Sequence, residues 1–152
     1  FAHDFLHHSS EGHDMRGELY ALAFEHLRRE GRWDVLRAVA AHVAGPDQIL
    51  LTLSEPAEVE QLPGLALPDL GIGLDGGELA AVRVEGGTIR ITTRGPAATV
   101  SAVRLGLDGH RGKRSRETIP RTSIHSAAVY GRYRNGTPIR KWLCHQQIAL
   151  ER

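Results

Sequence analysis

The sequence has little or none of several features, and each shortage excludes a class of protein. Among its 152 residues there is one cysteine, Cys144, which excludes an internal disulfide and suits a reducing cytoplasm. No run of about 18 apolar residues is present, which excludes a transmembrane helix. No basic region followed by an apolar run precedes Met15, so no signal peptide is recognised. We therefore expect a cytoplasmic protein without a membrane partner.

Sequence motifs with an established chemistry are missing as well. The chain has no P-loop, no dinucleotide-binding fingerprint and no Gly-x-Ser-x-Gly elbow. The nine histidines are scattered, and the adjacent Cys144 and His145 lack the further cysteines of a zinc site. The histidines near the start, at positions 3, 7, 8 and 13, are typical of a tag or tail. We predict neither a metal nor a cofactor.

The charge of the chain is nearly balanced in total but divided along its length. There are 19 basic and 18 acidic residues, a net charge of +1. Residues 1–100 hold 8 Lys/Arg and 15 Asp/Glu, which gives −7, whereas residues 101–152 hold 11 and 3, which gives +8. Ten of these cations and only two acids lie in residues 104–141. Most of the cations are arginines, whose planar guanidinium group suits bidentate contacts to phosphate.

This basic segment indicates a partner that carries phosphate groups. Each Lys or Arg that neutralises a backbone phosphate releases a counterion and so favours nucleic acid at low salt. Tyr133, placed between two arginines, is suited to stack on a base. We therefore predict a nucleic-acid-binding module, with DNA slightly favoured over RNA, that is a candidate recognition part of a DNA-processing or restriction system. The candidate contacts are Arg111, Lys113, Arg114, Arg116, Arg121, Arg132, Tyr133, Arg134, Arg140 and Lys141.

Two alternatives from other functional classes remain open. A metal-independent nuclease or toxin-like RNase needs a general base, a general acid and a cation near the phosphate. His125 and Glu117 are the candidate pair, although no fixed spacing supports them. The other alternative is a protein–protein interaction domain, such as a homodimer, whose basic face is covered by an acidic surface. Whether the protein is an enzyme is left open by the sequence.

Hydrophobic periodicity predicts a single α+β domain over residues 15–152, after a flexible or tag-derived segment at 1–14. Apolar residues at helical spacing predict a helix or helix pair over 16–44. An antiparallel sheet of about four to five strands is expected to follow. At the end of the chain, two short helices over 124–134 and 138–150 are predicted, joined by an Asn-Gly turn.

The clearest local pattern is a β-hairpin over residues 80–93. Apolar and polar residues alternate on both sides of Gly86-Gly87, a pair that suits a two-residue primed turn. This turn places Val84 opposite Ile89 and Val82 opposite Ile91. It also places Arg83 opposite Arg90, and like charges in this position are mildly destabilising. Arg83 and Arg90 are therefore predicted as a secondary anion site, with Glu85 as a neighbour that offsets their charge.

Overall fold

A computed structural model describes residues 10–61, 67, 69–107 and 122–151, with Glu11 described by its backbone only. It has one long helix, followed by short strands that pair antiparallel in several small sheets. The elements are α1 (Ser10–Glu30), β1 (Ala38–Gly45), β2 (Gln48–Leu53), β3 (Ala57–Val59), β4 (Ile72–Asp75), β5 (Leu79–Glu85), β6 (Thr88–Thr93), one turn of 3₁₀ helix (Ala97–Thr99), β7 (Ala102–Leu105), β8 (Ile124–Ser126), β9 (Gly131–Arg132), β10 (Pro138–Ile139) and β11 (Gln146–Ala149).

The predicted α+β class is wrong at the end of the chain. In place of helices 124–134 and 138–150 the structure has the four short strands β8 to β11. Asn135-Gly136 does not end a helix but lies in the turn between β9 and β10, with Gly136 at a φ of +85°. Ile139 and Leu143, whose spacing suggested one face of a helix, are both buried, but Ile139 lies in β10 and Leu143 in the segment between β10 and β11.

The predicted helix over 16–44 is also too long. Helix α1 stops at Glu30, and Gly31 follows at a φ of +73° with its amide bonded to the carbonyl of Leu27. This is a common way for glycine to end a helix. Residues 38–45 are strand β1, because pairing with β2 outweighs the helical preference of their alanines.

The predicted hairpin is confirmed with its register. Strands β5 and β6 pair Val84 with Ile89 and Val82 with Ile91 across the Gly86-Gly87 turn. They are half of a four-stranded antiparallel sheet of order β1-β2-β6-β5. The inner face of this sheet supplies much of the hydrophobic core, in which Ile89 and Ile91 are fully buried.

A three-stranded sheet of order β11-β7-β4 covers the other side of the core. Its inward residues include Leu74, Val103 and Leu105. The two sheets meet at one edge, where Glu151 bridges to His42 of β1 in parallel. Strands β3 and β8 form a short pair beside them, and β9 and β10 form a small hairpin against which α1 packs. No helix in the described part of the chain is long and apolar enough to cross a membrane.

Candidate nucleic-acid interface

The predicted basic site divides into two parts. Five of its cations belong to the segment between β7 and β8 that falls outside the described residues, and so does Glu117. These cations are Arg111, Lys113, Arg114, Arg116 and Arg121. Their part in binding therefore stays a prediction. The remaining basic residues of the segment lie within the described chain.

Four of the described cations in residues 104–141 form ion pairs with carboxylates from the first 100 residues. The pairs are Arg104 with Asp75, Arg134 with Glu18 at 3.7 Å, Arg140 with Glu58 at 3.4 Å and Lys141 with Glu55 at 3.4 Å. The division of charge along the sequence is thus partly neutralised by folding. Arg104, Arg140 and Lys141 are also partly buried, so their charge is less available to an external phosphate, whereas Arg134 remains exposed.

Tyr133 is also engaged within the fold. It is partly buried in the β9–β10 turn, where its amide donates to the carbonyl of Thr137 and its carbonyl accepts from the amide of Gly136. Burial raises the pKa of the Tyr133 hydroxyl, and the nearby Glu18 carboxylate raises it further. Its neighbour Arg132 is exposed and donates a hydrogen bond to the carbonyl of Gly136. Arg132 and Arg134, whose side chain is 94% exposed, are the cations of this hairpin with most freedom to meet a partner.

Lys141 lies at the centre of a cluster that the sequence did not reveal. Its ammonium group is 4.0 Å from the ring centre of Tyr130 and 5.0 Å from that of Trp33. Glu55 pairs with Lys141 and accepts a short hydrogen bond from the Tyr130 hydroxyl. His26 of α1 packs edge-on against both rings. Cation–π contacts of this kind are stronger when the cation is shielded from water.

This cluster gives a prediction for alkaline pH. Burial, followed by the hydrogen bond to Glu55, raises the pKa of Tyr130 above its ordinary 10.0. Folded Tyr130 therefore holds its proton more tightly than the unfolded chain does, so its contribution to stability is present below pH 10 and is lost as the pH rises through the raised pKa. When tyrosine ionisation is followed by ultraviolet absorbance as the pH is raised, Tyr130→Phe should remove part of the absorbance change at the high-pH end. Loss of the earliest part instead would contradict this assignment.

The outer face of the four-stranded sheet presents a row of side chains across all four strands. The register pairs His42 with Leu50, Leu50 with Arg90, and Arg90 with Arg83. Directly paired residues of an antiparallel sheet lie on the same face, and neighbouring strands are about 4.8 Å apart. The row therefore brings two guanidinium groups and one imidazole to one side of the sheet. The sequence reasoning missed His42 because it placed that residue in a helix.

Arg83 and Arg90 differ in how they are held. Arg90 donates to the Gln48 side chain at 3.0 Å and pairs with Glu85 at 3.4 Å, so the predicted offset by Glu85 is present. Arg83 is exposed and has no ion pair with any residue that the structure describes. Threonines 52, 88 and 92 surround the pair on the same face, which also carries the apolar side chain of Leu50 next to Arg90.

His125 occupies a structural position in β8. It is 6% exposed, its Nδ1 lies 3.0 Å from the carbonyl of Ser126, and its ring packs edge-on against Trp142 at 5.4 Å. The carboxylate residue directly across from it, on β3, is Glu58. The proposed partner Glu117 lies outside the described residues, so the nuclease assignment stays a prediction.

Within the described ranges, no group of three or more His, Cys, Asp or Glu is placed to hold a metal ion. Cys144 is partly buried with its sulfur near the side-chain oxygen of Gln146, and His145 beside it is exposed.

Comparison of the chain with protein-family models, with curated proteins and with solved structures gave no match.

Proposed function

We propose that this protein is a nucleic-acid-binding module that contacts the phosphate backbone through the outer face of the β1-β2-β6-β5 sheet. The observation that supports this proposal is the placement of Arg83 directly opposite Arg90. Like charges in this arrangement repel each other, Glu85 offsets part of the repulsion through Arg90, and an anion bound beside Arg83 would turn the rest into attraction. Guanidinium groups are well suited to this role because they donate in pairs to phosphate oxygens.

The proposed contact surface lies outside the basic segment that the sequence predicts. Arg104, Arg140 and Lys141 are partly buried and paired with carboxylates, so their removal would damage the fold as well as any binding. Arg83 has no such pair among the described residues, and His42 extends the row to the opposite edge of the sheet. The segment from Arg111 to Arg121 remains a second candidate contact on the basis of its sequence alone.

We expect binding of duplex DNA, single-stranded DNA or RNA that weakens steeply with salt. For three phosphate contacts, the affinity should fall by about 40-fold between about 50 and 200 mM salt. Arg83→Ala should lower the affinity roughly tenfold at low salt and reduce the salt slope by about one. Fluorescence anisotropy with labelled oligonucleotides measures both quantities and ranks the three nucleic acids.

The matched control is Arg29→Ala, which removes an exposed arginine from α1. It should leave the affinity and the salt slope within error of the unsubstituted protein. Replacing Arg111, Lys113, Arg114 and Arg116 together by alanine separates a contribution of that segment from one of the sheet. Binding that is absent, indifferent to salt, or equally reduced by Arg29→Ala would reject the sheet face as the interface.

A further inference from the structure

Trp142 is the more exposed of the two tryptophans, and it lies beside a buried histidine. It is 48% exposed, whereas Trp33 is partly buried against the rings of His26 and Tyr130. Within the described residues, the one ring that Trp142 contacts is that of His125, at 5.4 Å and an interplanar angle of 86°. Folding therefore leaves much of a large flat indole available for stacking.

The His125 ring is held so that one nitrogen is free to accept a hydrogen bond. Its Nδ1 lies 3.0 Å from the carbonyl oxygen of Ser126, which can only accept, so Nδ1 carries a proton and Nε2 of the neutral ring is an acceptor. Nε2 has no partner in the described chain, where every buried side-chain nitrogen or oxygen has one. Nε2 is therefore the atom through which this ring, 6% exposed, reaches the surface.

Glu58 supplies a second acceptor on the same face. It pairs across the strands with His125, and His125 pairs in turn with Trp142, so the three side chains form a row over neighbouring segments. Arg140 holds the Oε2 atom of Glu58 at 3.4 Å, and two backbone carbonyls fix Arg140 itself. The other oxygen of Glu58 has no partner among the described residues.

This row has the chemistry that recognises a flat ring bearing N–H donors. The indole offers a surface for stacking, and the imidazole nitrogen and the carboxylate oxygen both accept hydrogen bonds. Adenine, cytosine and guanine each carry an exocyclic amino group, which is such a donor. Thymine and uracil carry a carbonyl oxygen in place of the amino group of cytosine, and a carboxylate repels that oxygen.

We infer that Glu58, His125 and Trp142 form a site for one unpaired base of a single-stranded nucleic acid, selective for bases with an exocyclic amino group. Trp142 stacks on the base, and the His125 Nε2 and the Glu58 carboxylate accept from its donors. A duplex does not fit this site, because neighbouring bases cover both ring faces and pairing occupies the amino group.

The inference rests on the proposed function and names the form of nucleic acid that is bound. The amide of Ala57 in β3 donates to the carbonyl of Gly86 at 2.9 Å, so β3 begins beside the turn that ends β5. The strand that carries Glu58 therefore adjoins the strand that carries Arg83. A single strand whose phosphate meets Arg83 is expected to place a base at Trp142.

Trp142→Ala tests the stacking contact in the anisotropy assay. It should lower the affinity for single-stranded DNA or RNA about tenfold and leave the salt slope unchanged, because no phosphate contact is lost. The affinity for duplex DNA should stay within error. Val35→Ala is the matched control, because Val35 is exposed to a similar degree, at 45%, but lies before β1. Circular dichroism establishes that both variants fold.

Tryptophan fluorescence gives a second readout that needs no loss of affinity. Single-stranded oligonucleotides should quench the emission of the unsubstituted protein, because a stacked base quenches Trp142. In Trp142→Phe the remaining tryptophan is Trp33, and the quenching should disappear although the phenyl ring retains part of the binding.

Selectivity for the amino group is tested with oligodeoxycytidine and oligodeoxyuridine, whose bases differ only in that group. The cytidine oligomer should bind about tenfold more tightly, and Glu58→Gln should reduce this ratio. Glu78→Gln removes the same charge from an exposed glutamate between β4 and β5 and should leave the ratio unchanged.

The outcomes separate this site from the phosphate contact of the sheet. If Arg83→Ala acts as expected but Trp142→Ala has no effect, or weakens duplex binding equally, the base site is overturned and the sheet contact stands. If only Trp142→Ala acts, the base site stands and the sheet contact falls. Equal affinity for the two oligomers would overturn the selectivity for the amino group, and a protein that binds no nucleic acid would overturn both proposals.

Discussion

Gly76→Ala should destabilise the protein by about 3 kcal/mol and lower Tm by roughly 10 °C. Gly76 has a φ of +86°, and a Cβ atom there would lie 2.5 Å from the backbone oxygen of Thr99. The left-handed backbone accounts for about 1–2 kcal/mol of the cost. The rest arises because a backbone oxygen, unlike a side-chain tip, cannot rotate away. Thermal and denaturant unfolding measure the effect.

The control for this substitution is Gly86→Ala in the β5–β6 turn. Gly86 also has a positive φ, +60°, but a Cβ atom there would meet nothing within 4 Å. It should therefore cost about 1 kcal/mol, which is the conformational contribution alone. If both substitutions lowered the free energy of unfolding equally, the close contact with the Thr99 oxygen would contribute nothing to the cost at Gly76.

The second large effect is expected at the Lys141–Glu55 pair. The two side chains are 13% and 19% exposed, so either one loses much of its hydration on folding. Removing one partner leaves the other charge without compensation, and we expect Lys141→Met and Glu55→Gln each to cost about 2 kcal/mol. The double variant should cost less than the sum, with a coupling energy of about 1 kcal/mol or more in chemical denaturation.

Arg134 and Glu18 provide the matched comparison. They also join the end of the chain to its beginning, but Arg134 is 94% exposed and the charged atoms are 3.7 Å apart. Solvent screening should keep the effects of Arg134→Met and Glu18→Gln within about 0.5 kcal/mol. If the two pairs had equal coupling energies, the shielding of Lys141 by Trp33 and Tyr130 would be without energetic consequence.

The part of the fold that local sequence determines could be predicted from it. Alternation in β5 and β6, with two glycines between them, defines both the turn and the pairing, because all the relevant contacts lie within a few residues. Strand β2 is predictable for a similar reason, because residues 48–53 are a short apolar run bounded by turn residues.

The end of the chain could not be predicted in this way. Strands β8 to β11 are two to four residues long, too short to show a period. Their partners, such as β3 for β8 and β7 for β11, are far away in sequence. Asn135-Gly136 is compatible with a helix end and with a hairpin, and only the tertiary pairing of β9 with β10 decides between them.

The candidate site was predictable in its chemistry but only partly in its location. Counting charges identified an acidic and a basic half, and folding pairs several members of one half with members of the other. Those pairings join residues more than 75 positions apart, so no local pattern could reveal them. Arg83 and Arg90 were found because a hairpin register can be derived from sequence alone.

The pairing of β3 with β8 also bears on how fast the chain reaches its folded state. Ala57 meets Ser126, so this contact closes a long loop before it gains any stabilisation. The hairpins β1–β2 and β5–β6 need only short loops and are able to form first. Chains dominated by distant pairings fold on a scale of roughly milliseconds to seconds. Until β3 and β8 pair, the backbone groups of both strands stay open to other molecules, which makes this interval the one most prone to aggregation.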